Sequence, residues 1–195
     1  MSLMIPVIYG SVRSGRQGLR VANFLASKLE ERGHRAPLID PAVYALPLLD
    51  KRLMDYAEGE APEVLQTLAG ILAPADGYVV VSAEYNSSVP PALSNLLDHF
   101  VTEYARCPAL IATYSPGAFG GARVGEQLRS LLGALGMLVI PGNLAVPGMT
   151  KAFDENGVPA DPEAWDKRAD RVLGNLEWYA TALRNAREAD AQGKS

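Results

Sequence analysis

The sequence predicts an α/β domain in which a five-stranded parallel sheet lies between two layers of helices. Three observations predict it. Short apolar runs, each stopped by Gly, Pro or Asp, alternate with stretches of helical period along the chain. The run Gly77-Tyr78-Val79-Val80-Val81-Ser82 shows no polar alternation, so its strand is covered on both faces, as in a parallel sheet. A length of 195 residues supports one domain with a sizeable core, and neither a linker nor an internal repeat divides it.

Residues 4–9 read as the first strand, ended by Gly10. From Gln17 to Arg32, Leu19, Val21, Ala22, Leu25, Ala26 and Leu29 recur at helical spacing, and Gly33 closes that helix. Ala36 to Ile39 makes the second strand, ended by Asp40-Pro41. The loop-rich stretch 41–61, with Leu46-Pro47-Leu48-Leu49-Asp50 inside it, is long enough to be a lid or an interface loop. Pro62 fits the first turn of a helix that turns Val64, Leu65, Leu68, Ile71 and Leu72 inward. After the third strand at 77–82 come a polar loop, a helix from Pro91 to Tyr104, a fourth strand at 108–114 and a glycine-rich loop at 115–121. A helix over 122–135, a fifth strand at 137–141 and a long helix over 161–189 complete the pattern.

Right-handed crossovers wind such a chain into a doubly wound sheet. Length and strand count favour a flavodoxin-like three-layer sandwich of strand order 2-1-3-4-5. The expected organisation is one domain over residues 1–195, with 1–3 as an expression scar and 190–195 as a polar tail. Ligands in this architecture bind at the carboxyl ends of the strands, near strands 1 and 3.

Composition narrows the function. Hydrophobic content of 48% and charged content of 21% are those of a globular protein. A net charge of −4 with no basic cluster argues against nucleic acid as a partner. No apolar run reaches the roughly 18 residues of a membrane span, and no basic-then-apolar leader opens the chain, so a cytoplasmic location is expected. The one cysteine, Cys107, excludes a disulfide framework and is expected to be buried and inert. No HExxH, CxxC or GxSxG is present, and His34 and His99 read as structural. Neither a metal site nor a side-chain nucleophile is expected.

Three loops carry the chemistry. The first, Gly10-Ser11-Val12-Arg13-Ser14-Gly15-Arg16-Gln17-Gly18, offers two hydroxyls, two guanidinium forks and the amides of a helix start near Gln17. That set suits a terminal phosphate, although the spacing is neither a P-loop nor GxGxxG. The third loop, Ser82 to Pro91, places Tyr85 to stack and the amides near Asn86 to meet the polar edge of a planar ring. Asn86 and Ser87 have a structural alternative as caps of the following helix. The fourth loop, Ser115-Pro116-Gly117-Ala118-Phe119-Gly120-Gly121, has the glycine density of a backbone that approaches a ligand closely. An anion loop, a planar-ring loop and no nucleophile together point to chemistry carried by a cofactor.

At these loops the sequence resembles the NADPH-dependent FMN reductase family, which includes flavin-dependent quinone, azo and chromate reductases. The resemblance rests on Gly10-Ser11-Val12-Arg13, Arg16 and Gly18; on Glu84-Tyr85-Asn86 with Pro90, Leu93, Asn95, Leu97 and Asp98; and on Gly120-Gly121-Ala122-Arg123 with Gln127-Leu128-Arg129, Leu132, Leu135 and Gly136. Leu46-Pro47-Leu48 fits the family's second loop. It implies FMN, its phosphate held by Ser11, Arg13 and the loop through Arg16, Gln17 and Gly18. The ring edge would lie against Glu84, Tyr85, Asn86 and Ser87, with Ser115 and Gly117 on the other side and Gly120 in the glycine motif. It also implies hydride transfer from NADPH or NADH to FMN and onward to a flavin, quinone or other small electron acceptor, with no catalytic side chain. A homodimer or homotetramer is implied, the helix from Pro91 and the 41–61 loop being its interface. The chain departs from many members where Arg16 and Gly18 stand for serine and asparagine, a pattern that an arginine-bearing subgroup shares, where Ala83 replaces the usual proline, and where Pro116 removes a backbone donor. Two rivals stand beside this reading: a non-enzymatic flavin carrier, and a phosphate-sugar or nucleotide-binding module.

Overall fold

In the computed structural model, which describes residues 1–193, six strand segments and six helices follow one another. They are β1 (Val7–Tyr9), α1 (Leu19–Glu31), β2 (Leu38–Ile39), α2 (Glu63–Leu72), β3 (Tyr78–Ala83), α3 (Pro91–Asp98), β4 (Pro108–Tyr114), α4 (Ala122–Ala134), β5 (Leu138–Val139), β6 (Leu144–Val146), α5 (Met149–Ala152) and α6 (Pro162–Gln192). All pairings are parallel, in the order β2-β1-β3-β4-β5. β6 also pairs with β4, beyond β5, so the fifth position of the sheet holds two short pieces. The single fifth strand expected over 137–141 is therefore broken after Val139, and the chain rejoins the sheet at Leu144.

Period-2 alternation sends each strand's side chains to two separate cores. Val7, Tyr9, Val79, Val81, Leu110 and Ala112 pack with the apolar stripes of α1 and α6. Ile8, Tyr78, Val80, Ala109 and Ile111 pack with those of α2, α3 and α4. This two-sided burial is why β3 and β4 read as unbroken apolar runs.

α3 ends at Asp98, earlier than the expected Tyr104, and a short 3-10 turn follows at Thr102–Tyr104. The carbonyl of His99 accepts from the Leu53 amide at 2.8 Å instead of continuing the helix. The same face holds the 41–61 loop: Asn95 accepts from the Leu49 amide at 2.9 Å and donates to the Pro47 carbonyl at 2.8 Å. At the other end of the chain α6 reaches Gln192, so residues 190–192 of the expected tail are helical; Lys194 and Ser195 lie outside the described residues. Trp178 of α6 does not join the core; it is 65% exposed. Cys107 is buried and its thiol faces the Ala75 carbonyl.

α6 is fastened to α1 by ion pairs. Arg32 donates to Glu177 at 2.5 and 2.7 Å and to Asp170 at 2.9 Å. His34 accepts the Leu3 amide on Nδ1, so its Nε2–H faces Glu177 at 2.8 Å. The Arg32 guanidinium holds the Glu177 carboxyl below its ordinary value, with burial opposing. A carboxyl lowered on folding stabilises above its unfolded pKa, and that contribution fades as pH falls through its folded one. Chemical denaturation across pH 5 to 3 should thus show wild type losing more stability than Glu177→Gln. Equal slopes would remove Glu177 from the acid response.

The Tyr104 hydroxyl is fully buried and is the one buried side-chain polar atom among the described residues without a hydrogen-bond partner. Its ring packs edge-on against Tyr78 at 5.4 Å and Phe100 at 6.4 Å. An unpaired buried hydroxyl carries a desolvation penalty of about 1–3 kcal/mol. Tyr104→Phe keeps the ring contacts and removes the penalty, so its urea midpoint should rise at an unchanged slope. A lowered midpoint would mean that the hydroxyl does have a partner.

Candidate functional site

The loops after β1, β3 and β4 meet at the carboxyl edge of the sheet, where strand order reverses between β1 and β3. α5, set down by β6, completes the wall. Together they enclose a cleft of about 350 Å³ lined by Ser11, Arg13, Ser14, Gly15, Arg16, Gln17, Ala83, Glu84, Tyr85, Tyr114, Ser115, Pro116, Met149 and Thr150. A larger, more open depression of about 740 Å³ lies elsewhere, lined by residues such as Met4, Asp76 and Arg184. Asp76 there accepts from the Met4 amide and faces Arg184 and Arg187, so its charges are already paired.

The first loop is held by hydroxyls and one partly buried ion pair. Ser11, 1% exposed, shares a 2.7 Å hydrogen bond with the Tyr85 hydroxyl. Behind it the Tyr9 and Tyr114 hydroxyls are 3.1 Å apart. Burial pushes both phenols up, so both are neutral at physiological pH. Arg16 forks onto Asp40 at 2.5 and 2.6 Å and donates to the Ser11 carbonyl at 2.8 Å. The bond to Asp40 pushes the Arg16 guanidinium pKa further up. Arg13, by contrast, is exposed, makes no ion pair among the described residues and lies 5.6 Å over the Tyr85 ring. The amides of Ser14, Gly15, Gln17 and Gly18 find no protein acceptor among the described residues. One free guanidinium, hydroxyls and four unpaired amides ahead of a helix start form a donor set that fits a phosphate dianion.

Gly18 explains why this turn tolerates no side chain. Its backbone is helical, but an added Cβ would fall inside the Tyr114 ring. The helix start and the tyrosine pair are thus packed directly on each other.

In the third loop Tyr85 and Ser88 exchange backbone hydrogen bonds of 3.0 and 2.9 Å around Asn86 and Ser87, both at positive φ. This is a mirror-image two-residue turn, the kind asparagine tolerates. Its tip leans on α4: Gln127 donates to the Ser87 carbonyl at 2.7 Å, and Ser88 donates to Gln127 at 3.0 Å. Neither Asn86 nor Ser87 caps α3, whose N-cap is Pro90 with no side-chain bond. The Glu84 carboxylate accepts from the Arg123 and Val124 amides at 3.0 and 3.2 Å, capping α4.

In the fourth loop Gly120 is buried against the next strand. At φ 59°, a Cβ there would come within 2.9–3.0 Å of the Val146 and Pro147 backbone. Its carbonyl accepts from Thr113 at 2.7 Å. The Gly148 amide donates to Gly117 at 3.0 Å, and that of Met149 to Ser115 at 3.1 Å, which brings α5 to the cleft.

Of the twelve residues expected to hold a cofactor, Ser11, Arg13, Arg16, Gln17, Glu84, Tyr85 and Ser115 line the cleft. Gly18 sits behind it, Asn86 and Ser87 form the turn tip, and Gly117 and Gly120 do not reach it. Met149, Thr150 and Tyr114 line it without having been expected. The signal for α5 was faint: apolar Val146 and Met149 flank a Pro-Gly pair, with no period to read.

The profile of the family described as NADPH-dependent FMN reductase matches residues 3–151. The chain belongs to that family. A NAD(P)H-dependent FMN reductase of Schizosaccharomyces pombe is 30% identical over 162 residues, 77% of this chain and 74% of the relative. A quinone reductase of Escherichia coli K12 is 33% identical over 142 residues, 71% of this chain and 73% of the relative. Among solved structures, FerB of Paracoccus denitrificans, titled a flavoenzyme NAD(P)H:(acceptor) oxidoreductase, matches with a TM-score of 0.77 at 20% identity, covering 92% of this chain and 98% of that one. The match to FerB speaks to the fold. As a member of the NADPH-dependent FMN reductases, the chain is an oxidoreductase that uses FMN and a reduced nicotinamide. Small molecules are its electron acceptors. No helix among the described residues is long and apolar enough to cross a membrane.

Proposed function

We propose that this chain passes electrons from NADPH or NADH through bound FMN to quinone-type and flavin acceptors, working as a cytoplasmic homodimer or homotetramer. The observation that carries the reading is the meeting of an anion loop with Tyr85, Ser115 and Met149 around one cleft. FMN supplies the hydride chemistry; the protein holds, orients and shields it. The phosphate is assigned to Arg13, the Ser11 and Ser14 hydroxyls and the amides of Ser14, Gly15, Gln17 and Gly18, with the ring against Glu84, Tyr85 and Ser115. Tyr85, fixed by Ser11 and by its turn, orients the ring without exchanging a proton. Neutral Tyr9 and Tyr114 keep the floor dry.

The proposed interface lies beside the first loop. Val12, Leu48, Leu49 and Met54 are exposed apolar residues, and Val12, Pro41, Leu46, Leu48, Pro91 and Ala92 line a groove between the 41–61 loop and α3. Apolar surface concentrated at one groove is what association would bury. The buried, unpaired Cys107 suits a reducing compartment.

The test is optical. Purified protein should carry or take up FMN, lose the oxidised flavin band when NADPH or NADH is added without air, and regain it when a quinone follows. Protein that is yellow but is not bleached would be an electron carrier. Protein that never takes up FMN would end the reading.

A further inference from the structure

The two arginines of the first loop are not equivalent. Arg13 is exposed and without an ion pair among the described residues, whereas Arg16 is bound at three points: Nη1 and Nη2 to Asp40, and Nη1 also to the Ser11 carbonyl. Asp40 is 6% exposed and stands just past the end of β2, the neighbour of β1. Its other contacts run the opposite way. Oδ1 accepts from the Ala42 amide at 2.9 Å, and its carbonyl accepts from the Val43 and Tyr44 amides at 2.9 and 3.0 Å. One carboxylate thus ties the first loop to the start of the 41–61 loop. Arg16 is held from below as well, with its guanidinium carbon 5.4 Å from the centre of the Tyr9 ring.

Resting on the FMN reading above, we infer that Asp40 is a positioning residue for the cofactor phosphate, and that Arg16 acts with it as one clamp rather than as a phosphate ligand. The geometry points Arg16 inward. A guanidinium whose fork closes on a buried carboxylate has its charge compensated there, and a third N–H bond goes to the Ser11 carbonyl. That bond, together with the Arg16 amide on the Arg13 carbonyl at 3.2 Å, sets the curvature of residues 11–16. The curvature in turn aims the amides of Ser14 and Gly15 and the side chain of Arg13. Asp40 has no place on the cleft wall; of the two residues its carboxylate bonds, Arg16 and Ala42, Arg16 is the one that lines the cleft.

The two assignments make opposite predictions. If Arg16 were a phosphate ligand restrained by Asp40, removing the carboxylate would free a cation and tighten FMN. Lysine at 16 would also keep most of the affinity, because phosphate accepts a point charge. As a clamp, the pair needs the planar fork, which lysine lacks.

The experiment is FMN and riboflavin binding by flavin fluorescence to apoprotein of wild type, Asp40→Asn, Arg16→Lys, Arg16→Ala and the Asp40→Asn/Arg16→Ala double variant. The single variants should each weaken FMN by about tenfold, with the double variant no worse than either, as for two residues acting as one unit. Riboflavin, which has no phosphate, should bind all of them alike, so the FMN-to-riboflavin ratio falls. Loss of both flavins together would mark a general structural defect and overturn the inference. So would tighter or unchanged FMN binding in Asp40→Asn, or affinity retained in Arg16→Lys. If Asp40→Asn does not fold, the lysine variant decides alone. Failure of wild type to bind FMN would instead strike the functional reading on which this rests.

Discussion

Gly18→Ala should lower both the stability of the protein and its hold on FMN. The new methyl group would have to occupy the space of the Tyr114 ring, which is itself buried and bonded to Tyr9. The backbone at Gly18 is helical, so the penalty is one of volume alone. Overpacking of this kind costs about 1–3 kcal/mol. Tyr114 can move only by breaking its hydroxyl bond, or α1 only by shifting its first turn and the amides that lead into it. Thermal unfolding should show a Tm several degrees lower. Flavin fluorescence titration should show weaker FMN binding. In a Tyr114→Leu background the added methyl should be better tolerated. Wild-type Tm in Gly18→Ala would refute the packing argument.

Arg13→Ala should weaken FMN by roughly tenfold to a hundredfold, the worth of a charge-assisted contact at about 1.5–3 kcal/mol. It is the guanidinium of the loop with no ion pair among the described residues and rests over the Tyr85 ring, so removing it leaves no buried group unsatisfied and the fold should be unaffected. Riboflavin affinity should not change, and the FMN loss should shrink at high salt, where exposed charges are screened. Equal affinity of wild type and variant for FMN would move the phosphate elsewhere.

The central strands and the helices that cover them were legible because two-sided burial writes itself as continuous apolar runs and regular apolar stripes. β6 and α5 were not. Leu144, Val146, Met149 and Phe153 are buried by contacts distant in sequence, and glycines and prolines between them erase any period. The site was legible by loop rather than by residue. Arg16 and Glu84 look like ligands from their types alone. Their partners, Asp40 and the amides of Arg123 and Val124, lie 24 and about 40 positions away, where spacing carries no message. Gly120 reads as a place for ligand to approach, and the backbone that approaches is the protein's own.

The pairing of those carboxylates has an electrical consequence. The protein as a whole is anionic, at −4. Yet Glu84 is offset by the positive end of α4 and by Arg123 at 3.8 Å, and Asp40 by Arg16, so both project a reduced field into the cleft. What remains uncompensated there is the single cation of Arg13. A dianion in solution is repelled by the molecule from afar and attracted only within about 8–10 Å of this one point, the reach of a charge at ordinary ionic strength. Selection for anions is therefore exercised at the doorway and not by the surface at large, and added salt, which screens the distant repulsion along with the near attraction, should leave capture little changed while shortening residence.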